Sequence, residues 1–199
     1  LLNRLYDITK GEILIDNSPI QTINLNELRS QTGCVLQDVF LFSDSVKNNI
    51  SFGTFVKNGN SKIEDINWAA KQALVHENIK NFKDGYETVI GERGVTLSGG
   101  QKQRLSIARA LLKKPQILLF DDCLSAVDTE TEEKILSNLK HVMENKTTII
   151  VSHRISSIKY ADHIIMIENG KIIEEGNHEK LINDKGEYES LYQKQLVED

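Results

Sequence analysis

The chain has 199 residues, of which 39% are apolar and 27% charged, and a net charge of -5. That balance suits one folded domain with a real core and excludes a disordered chain. The charge is local: residues 168–199 hold nine acids against four lysines, and the remainder is balanced. No global basic field is present to draw in DNA or RNA, so a nucleic-acid partner is not expected. Two cysteines, Cys34 and Cys123, lie far apart with no CxxC, which supports neither a disulfide scaffold nor a zinc site. Reduced surroundings are the expectation. Apolar runs such as 117–120 are four or five residues long, far below the roughly 20 of a bilayer-spanning helix.

In chain order, Leu1, Leu2 and Leu5 have helical spacing and predict that the chain opens within a helix. Residues 12–16 (EILID) and 33–37 (GCVLQ) predict strands, with turn residues Asn17, Ser18 and Pro19 after the first. Short helices are expected at 24–30 and 45–52, then a loop at 54–62 around Gly59. One helix is expected over 64–80, with Ile66, Ala69, Ala70, Ala73 and Leu74 on its buried face. A second, over 101–113, buries Leu105, Ala108, Leu111 and Leu112 and is stopped by Pro115. Residues 81–100 read as irregular, with five glycines.

Residues 117–120 (ILLF) and 147–151 (TTIIV) lack alternation, as parallel strands buried on both faces do. A helix at 130–143, with Ile135, Leu136, Leu139, Val142 and Met143 inward, joins them into a βαβ unit. Asn169-Gly170 marks a hairpin between 162–168 and 171–175. The tail, 178–197, reads as helical and outside the sheet. The whole is an α/β fold with a helical block, about 43–112, inserted between core segments 1–42 and 113–177, and a tail at 178–199.

In open α/β sheets, ligands bind beyond the carboxyl ends of the strands. Three expected strands end in polar groups: Gln37, Asp121-Asp122, and Ser152-His153. A carboxylate after ILLF suits Mg²⁺ beside a nucleotide phosphate, and a second suits an attacking water. Acids also end strands and cap turns, and a lone strand-end histidine is commonly structural. Ser98-Gly99-Gly100-Gln101 opens a helix whose free N–H groups and dipole favour an anion. An ordinary Ser N-cap with a flexible lead-in explains the same residues. Asp128 could cap the helix that follows, beside a Thr129-x-x-Glu132 capping box. Lys102, Arg104, Arg109, Lys113 and Lys114 read as a solvated helix face rather than a nucleic-acid patch.

Leu97–Gln101 as a unit, LSGGQ, resembles the signature sequence of ATP-binding cassette proteins. Its neighbours agree in order. Gln37 matches the Q-loop glutamine. Glu92-Arg93-Gly94 resembles the exporter GERG segment, and ILLFDD the Walker B strand. Ser125–Asp128 resembles the D-loop, and Ser152-His153-Arg154 the H-loop. The resemblance spans residues 1–195. It implies a RecA-like P-loop NTPase core with a mainly parallel sheet and an inserted α-helical signature sub-domain. It also implies ATP and Mg²⁺ as ligands, with two cassettes facing head to tail. Ser98, Gly99, Gly100 and Gln101 would contact ATP held by the second nucleotide-binding domain. Asp121 and Gln37 would serve Mg²⁺, Asp122 and His153 with Gln37 the reaction, and Asp128 the dimer interface. Residues 39–53 and 171–182 resemble segments of type IV exporters, which implies transmembrane coupling helices as partners. The expected place is then the cytoplasmic face of the plasma (inner) membrane.

Two features depart from the family. The phosphate-cradling G-x-x-x-x-G-K-[ST] does not occur in these residues, and Leu1–Asp7 resembles the remainder of the helix that follows it. The chain alone is therefore expected to bind ATP poorly and not to hydrolyse it. Asp122 stands where the family usually has glutamate, as in the weak site of some heterodimeric exporters. Alternatives are an ATP-binding regulatory module with little turnover, and a soluble cassette ATPase outside transport.

Overall fold

The computed structural model describes residues 1–57, 61–91 and 94–198. Its central sheet has three parallel strands in the order β3 (Thr32–Val35), β4 (Ile117–Asp121), β5 (Thr147–Val151). Among the described residues, four α-helices run between β3 and β4: α2 (Val46–Ser51), α3 (Ile63–Gln72), α4 (His76–Lys80) and α5 (Gly99–Leu112). Helix α6 (Thr129–Met143) connects β4 to β5. The main core gathers Val35, Ile66, Ala69, Ala70, Leu105, Ala108, Leu111, Leu118 and Ile135, all 5% exposed or less. Its stripes on α3, α5 and α6 are those the sequence spacing predicts.

The opening residues are not helical. Residues 2–6 form turns and bends, with Leu1 and Leu5 exposed. So short a stretch does not repay helix nucleation without packing. The five-residue strand expected at 12–16 shrinks to β1 (Leu14–Ile15), because Asp16 and Asn17 both take positive φ (48° and 64°). Two such residues make a tight hairpin turn, and β1 pairs back with β2 (Ser18–Pro19). Asn24 then caps α1 (Leu25–Gln31) by accepting from Asn26 N and Glu27 N.

The single helix expected over 64–80 is two. Leu74 is left-handed, at φ 52°. Val75 N donates to Ala70 O at 2.9 Å and Leu74 N to Lys71 O at 3.0 Å, a Schellman closure made without glycine. The tail likewise divides into α8 (His178–Asp184) and α9 (Glu187–Glu198), parted by left-handed Lys185.

Strand β5 is not buried on both faces: Ile149 is 39% and Val151 55% exposed. It lies at one edge of the sheet, and among the described residues no element covers that face. The hairpin β6 (Ile164–Glu168) and β7 (Lys171–Gly176) forms where Asn169-Gly170 predicts, with positive φ at both residues. Together with α7 (Ile155–Ile158), α8 and α9 it builds a second cluster around Ile155, Ile164, Leu181 and Tyr188. Gly59, inside the expected 54–62 loop, lies outside the described residues.

Candidate functional site

Parallel pairing puts the carboxyl ends of β3, β4 and β5 along one edge: Val35 lies opposite Phe120, and Asp121 opposite Val151. Gln37 follows β3 by two residues and its Nε2 donates to Asp122 Oδ2 at 3.2 Å. The glutamine and the second aspartate, 85 positions apart, therefore meet. Asp122 N donates to Val151 O at 2.8 Å, carrying the ladder one step past the strand. Asp122 itself is left-handed, φ 44°, a conformation aspartate tolerates better than most residues. Asp121 is exposed at the strand end. His153 comes two residues after Val151 and is exposed.

Ser98 caps α5 in a full capping box: its Oγ accepts from Gln101 N at 3.2 Å, and Gln101 Oε1 accepts from Ser98 N at 3.0 Å. Gln101 is thereby committed to the cap. A Cβ on Gly100 would lie 2.9 Å from Ala126 O, and one on Gly99 3.3 Å from Ala126 Cβ. Glycine is thus required at Gly100 first for packing against the 125–128 loop, independent of any ligand. Glu92 and Arg93, the first residues of the GERG likeness, lie outside the described residues.

The 125–128 loop is held from three sides. Gln103, buried one turn into α5, donates through Nε2 to Ser125 Oγ (3.3 Å) and accepts at Oε1 from Ala126 N (3.1 Å). Arg154 donates to Val127 O (3.0 Å) and Ser125 O (3.2 Å). Asp128 caps α6, accepting from Thr131 N at 2.9 Å, and that bond holds its carboxyl below the usual carboxylate range. Glu132 is not the partner of a Thr129 capping box. Its carboxylate is fully buried and accepts from Arg154, Ser156 and Ser157.

Sequence reading missed Gln103, Glu132 and the inward role of Arg154. A polar residue on the buried stripe of a helix, as Gln103 is, was the available signal. It also placed Arg109 and Lys113 on a solvated face. Arg109 instead donates to Asn49 O (2.8 Å), Asn49 Oδ1 (3.1 Å) and Phe40 O (2.9 Å) and stacks beside Phe42 and Phe52. Burial lowers its pKa. Lys113 donates to Thr32 O at 2.8 Å and to Arg29 O. Burial pushes the Cys123 thiol up to about 12 and raises that of Cys34, as expected of packed, inert thiols.

The donors at the strand ends are hard oxygens from Asp121, Asp122 and the free Oε1 of Gln37. Among the described residues there is no cluster of three or more His, Cys, Asp or Glu that could hold a metal by itself. That combination fits Mg²⁺, which takes one or two carboxylates, keeps waters and draws its remaining ligands from phosphates. It does not fit a caged structural metal.

Residues 1–125 match the protein-family model described as ABC transporter. Over 192 residues the chain is 48% identical to an uncharacterised ABC transporter ATP-binding protein, YknU, of Bacillus subtilis, covering 96% of this chain and 32% of that protein. Over 199 residues it is 47% identical to the ATP-dependent lipid A-core flippase of Syntrophus aciditrophicus, covering 100% of this chain and 32% of that protein. The solved structure of a bacterial Atm1-family ABC exporter with ATP bound matches with a TM-score of 0.91 at 40% identity, over 98% of this chain and 34% of that one. The chain spans about a third of the length of these relatives. That likeness bears out the RecA-like P-loop reading of the α/β core.

Proposed function

Because the chain belongs to the ABC transporter family, among its exporter-type ATP-binding domains, we propose that it is part of the ATP-hydrolysing motor of a membrane exporter. The observation that carries the reading is the meeting of Gln37 with Asp122 at the edge where β4 and β5 end. It unites residues that have no common local reason to be polar.

In this reading Asp121 and Gln37 hold Mg²⁺, which neutralises phosphate charge when bound. Asp122 orients the attacking water and receives its proton. The water oxygen bonds to the γ-phosphorus as the bond to the β–γ bridging oxygen breaks, and ADP and phosphate leave. His153 holds the γ-phosphate and the water. Ser98, Gly99 and Gly100 face ATP bound by a second cassette, and Asp128 lies at the interface between the two. Gln101 supports that face through the cap it makes with Ser98.

Aspartate at position 122 is one methylene shorter than glutamate. A retreat of about 1 Å costs on the order of 100-fold in rate. We therefore assign this chain to the weak-site half of a heterodimer, its intact signature completing the partner's site. The exposed Phe40 and Phe52, whose rings both meet Phe42, form the surface offered to membrane coupling helices. The motor then sits at the cytoplasmic face of the plasma (inner) membrane. Among the described residues no helix is long and apolar enough to cross a membrane. Segments 1–42 and 113–177 act as the core, 43–112 as the signature sub-domain, and 178–199 as the tail.

The test is Ser98→Glu in the intact protein that carries this chain, assembled with its partner. A carboxylate at the helix start would face the γ-phosphate, and ATP turnover should fall at least about tenfold. Unchanged turnover overturns the reading.

A further inference from the structure

Helix α9 lies outside the three-stranded sheet, yet one of its side chains reaches the site. Gln195 Nε2 donates to His153 O at 2.7 Å, and Gln195 Oε1 accepts from Ile155 N at 2.8 Å. These two backbone groups flank Arg154. Ile155 N opens α7, where a helix leaves its N–H groups without intrahelical acceptors. A single carboxamide therefore closes both sides of the turn that presents His153.

The imidazole has no hydrogen-bond partner among the described residues. Its placement therefore depends on the backbone of that turn. On the other side, Arg154 is gripped by Glu132 and by the carbonyls of Ser125 and Val127. The turn is thus clamped between α6 and α9.

Helix α9 is firmly seated for this task. Tyr188 is fully buried, and its hydroxyl lies 2.8 Å from His178 Nδ1. Glu174 of β7 accepts from Glu187 N and Tyr188 N at the start of α9. Leu191 and Tyr192 pack on the cluster that includes Ile155. The path from the docked helix to the His153 backbone is continuous.

We infer that Gln195 is a positioning residue for His153, and that the docked C-terminal helix is required for full activity of this site. The inference rests on the role proposed above for His153.

The experiment uses the intact, assembled protein with the partner site disabled and measures ATP turnover at this site and its KM for MgATP. Gln195→Ala removes both bonds. Gln195→Glu keeps the acceptor for Ile155 N but cannot donate to His153 O. Both should lower kcat by about tenfold, less than the loss for a full 1 Å misplacement, and leave KM within about twofold. Gln195→Ala should cost nothing further in a His153→Ala background. A normal kcat in Gln195→Ala alongside a loss in His153→Ala overturns this inference alone. An equal loss in both backgrounds also overturns it, since the effect would then be general loosening. Normal turnover in His153→Ala overturns both this inference and the function on which it rests.

Discussion

Arg154 Nη1 donates at 2.7 Å to the carboxylate of Glu132, whose side chain is wholly buried while that of Arg154 is 37% exposed. Ser156 and Ser157 donate to the other carboxylate oxygen. Removing the acid leaves Arg154 without its counter-charge, though still donating to Ser125 O and Val127 O, and leaves two hydroxyls without their acceptor beneath the loop at 125–128. Breaking a fully buried pair costs about 3–5 kcal/mol, and the partial exposure of Arg154 reduces that. Glu132→Ala should lower unfolding stability by about 2–3 kcal/mol, measured by urea denaturation. A loss below about 0.5 kcal/mol, the size of an ordinary surface change, would contradict the geometry.

Gly100 and Gly99 make contrasting predictions. A methyl on Gly100 meets a backbone oxygen at 2.9 Å, whereas one on Gly99 meets a methyl at 3.3 Å. Gly100→Ala should cost about 1–3 kcal/mol through forced separation of the α5 start from the 125–128 loop. Gly99→Ala should cost less. Denaturation midpoints of the two variants compare them directly, and the reverse order would refute the packing account.

Stability should fall on the alkaline side. The Cys123 thiol and the Tyr86 and Tyr188 hydroxyls are each pushed up to about 12, chiefly by burial. A raised folded-state pKa means that the folded protein holds its proton where the unfolded chain releases it. The stabilisation is full below the unfolded values, about 8.5 for Cys and 10 for Tyr, and is lost as pH rises towards 12. Thermal midpoints should therefore decline from about pH 8.5 upward. In the native state Cys123 should resist thiol reagents that label it after unfolding.

The purified 199-residue chain should bind MgATP weakly. Its own residues supply a signature face and strand-end carboxylates but no G-x-x-x-x-G-K-[ST] cradle, whose backbone N–H groups and lysine supply most of the phosphate contacts. Calorimetric titration should give no stoichiometric binding at micromolar ATP. Tight one-to-one binding would show that a different set of residues holds the nucleotide.

Much of this was legible in the sequence, for physical reasons. The stripes of α5 and α6 follow from spacing, and the hairpin at Asn169-Gly170 from two residues that accept positive φ. The candidate residues Gln37, Asp121, Asp122 and His153 were legible as polar groups at the ends of apolar runs. What stayed hidden depends on tertiary packing. Leu74 breaks a helix because the fold turns there, although leucine favours helix. Strand β5 looks buried by composition, but its exposure depends on its place at the sheet edge. Glu132 reads as a capping acid until Arg154, 22 positions away, arrives beside it. Gln195 carries no local signal at all, since its partners lie some 40 positions upstream.

In the proposed function Asp122 occupies the position that activates water, in a form too short to do so efficiently. The direct measurement is ATP turnover at this site in the intact assembled protein, with the partner site disabled, comparing wild type with Asp122→Glu. Turnover should rise by up to about 100-fold, as the carboxylate advances by about 1 Å. Turnover that is unchanged or lower in Asp122→Glu would contradict it.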